Sequence, residues 1–372
     1  MKNSIPFSKP DIRDSDIERV KNSIKSGWLT HGKNTHQLEH EFKKFTKAKY
    51  AVTIANCTAG LHLACLSIGL KKGDEVIVPA QTHTATAHAV EFTGAKAVFA
   101  DTDLISGNIL FSEIKKKINK KTKAVIIVHM AGYPCDLKKI SAYCKKNKIL
   151  LIEDCAHALG STFQNKHVGN YGICGVFSFY PTKQITSGEG GVLITNDKRL
   201  YNKIKTLKAF GIDNPPEKRK KQGYYDVKYL GFNYRMTDFQ AALAIGQLQR
   251  YKKLLKKRKI IAKMYEKKLV SNKIKFVKYS KMHSYFVFQI ILQSKKIRDK
   301  LLLSFKKNKI GVSVHYATPV PLMSYYRNKY KINVKDFQNS KSYGDKVISL
   351  PVHSGIDNKN IEYIKKTILL NI

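Results

Sequence analysis

The sequence predicts an α/β protein, with a mostly parallel sheet covered by helices on both faces and a smaller α+β domain after it. Three observations lead there. Over the first 250 or so residues, short β-rich runs alternate with helix-patterned stretches, as strand–helix–strand crossovers require. Runs such as Ala124 to Val128 and Ile149 to Ile152 are apolar at successive positions, the mark of strands buried on both faces. The chain has 372 residues, more than one small core holds at roughly 150 residues per domain. We therefore expect a large domain over 1–250, including an N-terminal helical segment, and a smaller one over 251–372, with a cleft between them.

Taken in order, Ser15-Asp16-Ile17-Glu18 has the Ser-x-x-Glu form of a capping box. Ile17, Val20 and Ile24 follow at helical spacing, so a first helix should run to about Ser26 and stop at Gly27. A second amphipathic segment covers Leu38 to Phe45. Strands are expected at Tyr50–Ala55, Glu75–Val78, Lys96–Ala100, Lys123–Val128, Ile149–Glu153, Gly175–Phe179 and Gly191–Thr195. Phe210 to Tyr229, with Asn214-Pro215-Pro216 and the basic run Glu217 to Lys221, reads as a long exposed loop. A long helix follows from Asp238. Beyond it come a strand at Tyr285–Leu292, a helix at Arg298–Phe305, a strand at Gly311–Val314 and a closing helix at Ile361–Leu370.

Composition removes several classes of function. No apolar run reaches the roughly 18 to 20 residues that span a bilayer, and Met1-Lys2-Asn3-Ser4-Ile5-Pro6 has no secretory apolar stretch. A soluble, cytoplasmic protein without membrane partners is expected. Six cysteines are scattered without a C-x-x-C pair, so they are expected to be buried small hydrophobes and no metal site is indicated. The 68 basic against 27 acidic residues give a formal charge of +41. The lysines are spread over almost every helical face without arginine–aromatic interleaving, so a proteome-wide lysine bias explains them better than nucleic-acid binding. What remains is an attraction for anions such as a diphosphate.

The strongest local signal is Val176-Phe177-Ser178-Phe179-Tyr180-Pro181-Thr182-Lys183, running on through Gly188-Glu189-Gly190-Gly191. An apolar strand ends in a hydroxyl, turns, presents one lysine and passes through glycines into another strand. A lysine that forms a Schiff base needs a fixed position, desolvation to lower its pKa and a nearby anion site. Ser178 is close enough to serve a cofactor phosphate. Alone, Lys183 would read as one surface lysine among many. Upstream by 29 residues, however, Leu150-Leu151-Ile152-Glu153-Asp154 delivers an acid at a strand's C-terminal end, where open α/β sheets place ligands. A buried carboxylate there would keep the ring nitrogen of pyridoxal 5'-phosphate (PLP) protonated, although Asp154 alone could simply cap a helix. Ile54-Ala55-Asn56-Cys57-Thr58-Ala59-Gly60 turns strand into helix through small residues, an anion site suited to the phosphate. His83 ends another strand, where it could stack on a pyridine ring or merely be a satisfied loop histidine.

In this order the elements resemble the DegT/DnrJ/EryC1/StrS family of nucleotide-sugar aminotransferases over essentially the whole chain. The resemblance also includes Ser26-Gly27-Trp28-Leu29-Thr30-His31-Gly32, Gly73-Asp74-Glu75-Val76-Ile77-Val78-Pro79, Glu153-Asp154-Cys155-Ala156-His157-Ala158-Leu159-Gly160, Gly231-Phe232-Asn233-Tyr234-Arg235-Met236-Thr237-Asp238 and Ile348-Ser349-Leu350-Pro351. It implies the aspartate-aminotransferase fold (PLP fold type I) in a homodimer with shared active sites. It implies Lys183 as Schiff-base lysine and proton shuttle, Asp154 at the pyridine nitrogen, His157 near the ring hydroxyl, Thr58, Ala59 and Ser178 at the phosphate, and Asn233 reaching the phosphate from the other subunit. His83 and His157 depart from the aromatic residue and the glutamine common at those positions. The lysine argues against the deoxygenating members, which carry histidine, and Thr186-Ser187-Gly188-Glu189-Gly190-Gly191 looks more like enzymes acting at C4 of the sugar than at C3.

The implied reaction moves an amino group from L-glutamate to a nucleotide-diphosphate keto-deoxysugar, giving an amino sugar for a surface glycan or related glycoconjugate. Trp28, His315 and Tyr316 are candidate substrate contacts; a core tryptophan and a strand-end His-Tyr pair are the alternatives. The rivals are a fold type I enzyme acting on a small keto compound, and a non-catalytic sugar-responsive or nucleic-acid-binding protein.

Overall fold

The computed structural model describes residues 4–212 and 221–372, so Asn214-Pro215-Pro216 and most of the basic run after it lie outside the described residues. Two helices, α1 (Asp14–Lys25) and α2 (Lys33–Thr46), precede an alternating series. It runs β1 (Tyr50–Ile54), α3 (Cys57–Ser67), β2 (Glu75–Pro79), α4 (Thr84–Glu91), β3 (Lys96–Ala100), α5 (Phe111–Lys117), β4 (Thr122–Val128), α6 (Leu137–Lys146) and β5 (Leu150–Asp154). A two-stranded ribbon, β6 (Thr162–Phe163) and β7 (Lys166–His167), leads into β8 (Cys174–Ser178), β9 (Gly191–Thr195) and α7 (Lys198–Leu207).

These strands build a seven-stranded sheet in the order β1-β9-β8-β5-β4-β2-β3. β9 is antiparallel to both neighbours and the other pairs are parallel. The alternating side-chain directions of each strand supply two cores. Val125, Ile127, Leu151 and Phe177 pack with Leu38, Phe42, Ile140 and Leu248. Ala124, Ile126, Ile152 and Val176 pack with Leu61, Ala87 and Ile204. That is the expected mostly parallel sheet buried on both faces.

The long helix α8 (Asp238–Lys268) runs without interruption through residue 250. Its residues up to Leu254 join the first of those cores, while Ile261, Ala262 and Tyr265 join a third. The third core lines an antiparallel sheet of β10 (Ile274–Lys275), β11 (Phe288–Leu292) and β12 (Val347–Leu350). Helix α9 (Lys295–Lys307) precedes the short helices α10 (Ser324–Tyr330) and α11 (Gln338–Lys346), and α12 (Asn358–Leu369) ends the fold. Ile5, from the start of the chain, is part of this same core.

Three expectations need correction. Helix α1 starts at Asp14, and its entry is closed by Asp16, whose Oδ2 accepts the Arg13 N–H at 3.0 Å, not by a Ser15–Glu18 box. Its inward face is Asp16 and Ser23, leaving Ile17 and Ile24 56% and 53% exposed. Gly311–Val314 forms no strand. Gly311 donates to Ile5 O, and Ser313 makes a single bridge to Ser349, so each side is held by a different segment and no ladder extends. The Tyr285–Leu292 strand begins only at Phe288, because Tyr285 is left-handed (φ 52°) and Arg258 Nη1 takes the Tyr285 and Phe286 carbonyls at 3.1 and 3.2 Å.

Asp16 is fully buried and bound by Arg250 of α8, Nη1 to Oδ1 at 2.9 Å, while Arg250 Nε holds Asp11 at 2.7 Å. Gly246 sits one helical turn earlier, and a Cβ there would lie 2.0 Å from Asp16 Oδ1. Alanine in a helix interior normally stabilises by about 1 kcal/mol over glycine. Here the pinned carboxylate reverses the sign. Gly246→Ala is expected to destabilise by about 1–3 kcal/mol, read as a lowered denaturation midpoint. A raised midpoint would show that Asp16 can give way.

Candidate active site

The C-terminal ends of the parallel strands converge where β5 delivers two adjacent carboxylates to opposite faces. Glu153 is completely buried and accepts four hydrogen bonds, from His129 Nε2 (3.1 Å) and the N–H groups of Gly169 (2.7 Å), Tyr171 (2.6 Å) and Gly172 (2.7 Å). Burial pushes its pKa up, but His129 and the backbone donors outweigh that and hold it below the ordinary range. Asp154 is nearly as buried and has fewer donors: Thr86 Oγ1 at 2.8 Å, Ala156 N at 3.0 Å and the Cys57 thiol at 4.0 Å. For Asp154 burial wins and the pKa is raised, despite Ala156, Thr86 and the charges of Lys183 and His83. Such a carboxylate is incomplete without a further cation or N–H donor.

Lys183 stands across from it. Its loop between β8 and β9 is pinned by Lys183 N–H to Tyr180 O (2.9 Å), Ser8 Oγ to Thr182 O (3.4 Å) and Gln184 Nε2 to His157 O (2.7 Å). Gly188 (φ 77°) and Gly190 (φ 154°) take backbone angles that L side chains resist. The Lys183 ammonium lies 4.6 Å above the Phe286 ring. Burial lowers its pKa to about 8, partly opposed by Cys57 and Asp154.

Aromatic rings wall the site. His157 stacks on Phe286 with centroids 4.5 Å apart, and its Nε2 lies 3.3 Å from Tyr316 OH. His315 meets both His157 and Phe286 edge-on, at 5.7 and 5.5 Å, and its Nδ1 pairs with Ser349 Oγ at 2.9 Å. Burial, with Lys183 and His83 nearby, lowers the His315 pKa to about 3. His83 caps α4, accepting the Ala85 N–H at 3.2 Å, and presents its ring edge-on to Tyr316 at 5.8 Å. Thus Asp154, Lys183, His157, His83, His315 and Tyr316 come together.

The remaining candidates are placed more loosely. Asn56 caps α3, and its Oδ1 takes the Ala59 N–H at 2.9 Å, so that amide is already engaged. Thr58 lies in the first turn, half-buried, and Ser178 ends β8 with its Oγ accepting the Tyr180 N–H at 3.4 Å. Asn233 is exposed, with Oδ1 bound by Arg235 Nε at 3.0 Å. Trp28 is 57% exposed, its Nε1 donating to His31 O at 3.1 Å, which excludes the core alternative.

Sequence reasoning missed Phe286, Thr86 and Cys57. Thr86 had a signal, since it follows His83 by three positions and so shares its helix face; Phe286 had none, lying more than 100 residues from Lys183. The set fits PLP. Among the described residues Asp154 forms no ion pair, Lys183 is a desolvated amine, and His157 Nδ1 is buried with no hydrogen-bond partner.

A sequence pattern describing the DegT/DnrJ/EryC1/StrS aminotransferase family matches residues 10–369. GDP-perosamine synthase of Escherichia coli O157:H7 is 34% identical over 368 residues, covering 98% of this chain and 97% of that protein. The PLP form of Streptococcus pneumoniae Spr1654 superposes with a TM-score of 0.92 at 28% identity, each chain 98% covered. Helicobacter pylori PseC, an aminotransferase involved in the biosynthesis of pseudoaminic acid, gives 0.91 at 27% identity with 99% of each chain covered.

Two outcomes follow from this geometry. Only the unprotonated Lys183 amine attacks a carbonyl, so the rate at which the apo chain captures PLP should rise with pH and level off above about 8. A midpoint near the ordinary lysine value would contradict the burial of Nζ. Thr86→Val deletes a hydrogen bond to a buried charge, about 1.5–3 kcal/mol. Cofactor affinity should fall roughly 10- to 100-fold, with Thr86→Ser retaining it, as measured by equilibrium dialysis.

Proposed function

The chain belongs to the DegT/DnrJ/EryC1/StrS aminotransferase family, and we propose that it moves an amino group from L-glutamate to C4 of a nucleotide-diphosphate-linked keto-deoxysugar. The product would be an amino sugar for a surface glycan or related glycoconjugate. The observation that carries this is the pairing of a desolvated lysine with a buried, under-complemented carboxylate at one strand-end site. The nucleotide-linked acceptor is supported by GDP in the name of a relative 34% identical, and the C4 position by the Thr186 to Gly191 loop.

PLP supplies an electron sink for the carbon that loses its proton. Lys183 would hold it through Nζ, Asp154 would face its ring nitrogen, and Thr58 and Ser178 would receive its phosphate with help from the α3 dipole. A pKa of about 8 lets the Lys183 amine accept the Cα proton of the amino donor and return a proton later without a large energetic bias. His157, His315 and Tyr316 would exclude water from the cleft around Lys183 and offer aromatic surface to a sugar. The formal charge of +41 favours retention of a diphosphate.

The working form we propose is a homodimer with shared sites. Its support is apolar surface that a lone subunit leaves in water: Ile17, Ile24 and Trp28 near the start of the chain, and Leu230 at 90% exposure three residues before Asn233. From there Asn233 would reach the partner's phosphate site.

Lys183→Ala should abolish the visible absorption of bound cofactor and lower turnover by at least about a thousandfold. Mixing inactive Lys183→Ala with an impaired Asn233→Ala chain should restore part of the activity through one intact shared site. No recovery would argue against sharing. Incubation with glutamate and a panel of C3- and C4-keto nucleotide sugars, with the aminated carbon located by NMR, tests the acceptor; turnover of small ketones alone would overturn it.

A further inference from the structure

His157 offers two nitrogens in different situations. Nε2 is 3.3 Å from Tyr316 OH, while Nδ1 is buried and has no partner among the described residues. The ring cannot turn to exchange them freely, since Phe286 stacks on it at 4.5 Å with an interplanar angle of 22°. Its backbone is fixed as well, the His157 carbonyl accepting from Gln184 Nε2 at 2.7 Å. Tyr316 is fixed in turn by its carbonyl, which accepts from Gln81 Nε2 at 2.6 Å. A phenol is the better donor and an imidazole nitrogen the better acceptor, so in the low-energy arrangement the proton between them is the tyrosine's. The reverse arrangement would leave the Tyr316 O–H without an acceptor and Nδ1 as a bare lone pair in the protein interior.

We propose that Tyr316 is a positioning residue: its hydroxyl donates to Nε2, locks His157 as the Nδ1–H tautomer, and so presents an N–H donor to the ring oxygen of PLP. This rests on the reading of the site as a PLP site and adds to it a role for Tyr316 other than a sugar contact. Both partners stay neutral, which the lock requires. Burial, reinforced by Lys183, His315 and His83, pushes the imidazole well below its ordinary pKa, and burial with Asp154 and Cys57 nearby pushes the phenol up. The donor matters because a ring oxygen that accepts an N–H bond ionises more readily, and the electronic state of the ring follows from it.

The test compares the wild type with Tyr316→Phe, which keeps the ring and removes only the donor. In protein labelled with 15N-histidine and assigned through His157→Gln, the wild-type His157 should show a protonated Nδ1 and a pyridine-like Nε2, and Tyr316→Phe should give a mixture of tautomers. In the holoenzyme, the pH midpoint of the cofactor's visible band should rise by up to about one unit in Tyr316→Phe, the worth of one hydrogen bond. In a His157→Gln background, whose amide has no tautomers, Tyr316→Phe should leave that midpoint unmoved. A protonated Nε2 in the wild type, or an unchanged tautomer and midpoint in Tyr316→Phe, overturns the proposal. If no visible band forms in the wild type, the PLP reading fails, and the labelled apo chain still decides the tautomer.

Discussion

Asp154 and Glu153 are neighbours on one strand, both buried, and the sheet treats them differently. Glu153 turns towards the α6 side and receives one histidine and three backbone N–H groups, enough to keep a buried charge in place. Asp154 turns towards α3 and α4 and receives Thr86, Ala156 and a weak thiol contact. The deficit at Asp154 governs the site. It requires a cationic ring nitrogen or its equivalent. Helix α4 must also begin close enough for Thr86 to reach, and His83 caps that helix at the edge of the same cleft. The completeness at Glu153 supports this arrangement, because it ties the Gly169–Gly172 turn to β5 and fixes the strand end from which Asp154 projects.

The sheet was legible in the sequence because its strands are continuous apolar runs, a signal that survives without knowledge of neighbours. The helices of the C-terminal region were less so. Helices α10 and α11 are short and polar, and their places are set by contacts such as Phe337 and Tyr326 entering the core under α3 and α4. Helix α1 misled for a definite reason: its regularly spaced isoleucines face outward, and the buried stripe is Asp16, whose partner Arg250 is 234 positions away, and Ser23, which bonds Asp238. Asp154 and Lys183 were found because strand-end chemistry is local. Phe286, which touches both Lys183 and His157, belongs to a segment read only as a strand, and no spacing rule connects it with them.

Among so many lysines, Lys183 differs in environment more than in sequence. Many of the others lie on helix surfaces with the amine in water. Lys208 shares its depressed pKa of about 8, but there burial is answered by Glu39, 3.6 Å away, and by the Thr53 carbonyl at 2.9 Å. That amine is engaged as a brace beneath β1. Among the described residues Lys183 has the Phe286 ring face against its amine, with the Cys57 thiol and the Asp154 carboxylate acting on it. A desolvated amine with no hydrogen-bond acceptor among the described residues is available for chemistry, and this separates Lys183 from Lys208 where their pKa values do not.

The cleft geometry also depends on the first residues of the chain. Ile5 pairs with Ile310 and accepts from Gly311 N at 2.7 Å, which places the N-terminal segment in the C-terminal core. A Cβ at Gly311 would lie 2.3 Å from Phe7 N, so glycine is what lets the two segments cross so closely. Pro6 O accepts from His353 Nε2 at 3.0 Å, Phe7 stacks on His315 at 5.9 Å and packs with Phe286, and Ser8 reaches the Thr182 carbonyl beside Lys183. Four consecutive residues therefore run from the C-terminal core, across the aromatic wall, to the lysine loop. The two sides of the site belong to cores bridged by α8 and by direct ties such as Phe286 N–H to Ala131 O at 3.0 Å and Val320 N–H to Ala80 O at 2.9 Å. The N-terminal strap contacts both walls and adds a tie at the aromatic end, where Phe7 lies against His315 and Phe286 while Ser8 reaches the lysine loop.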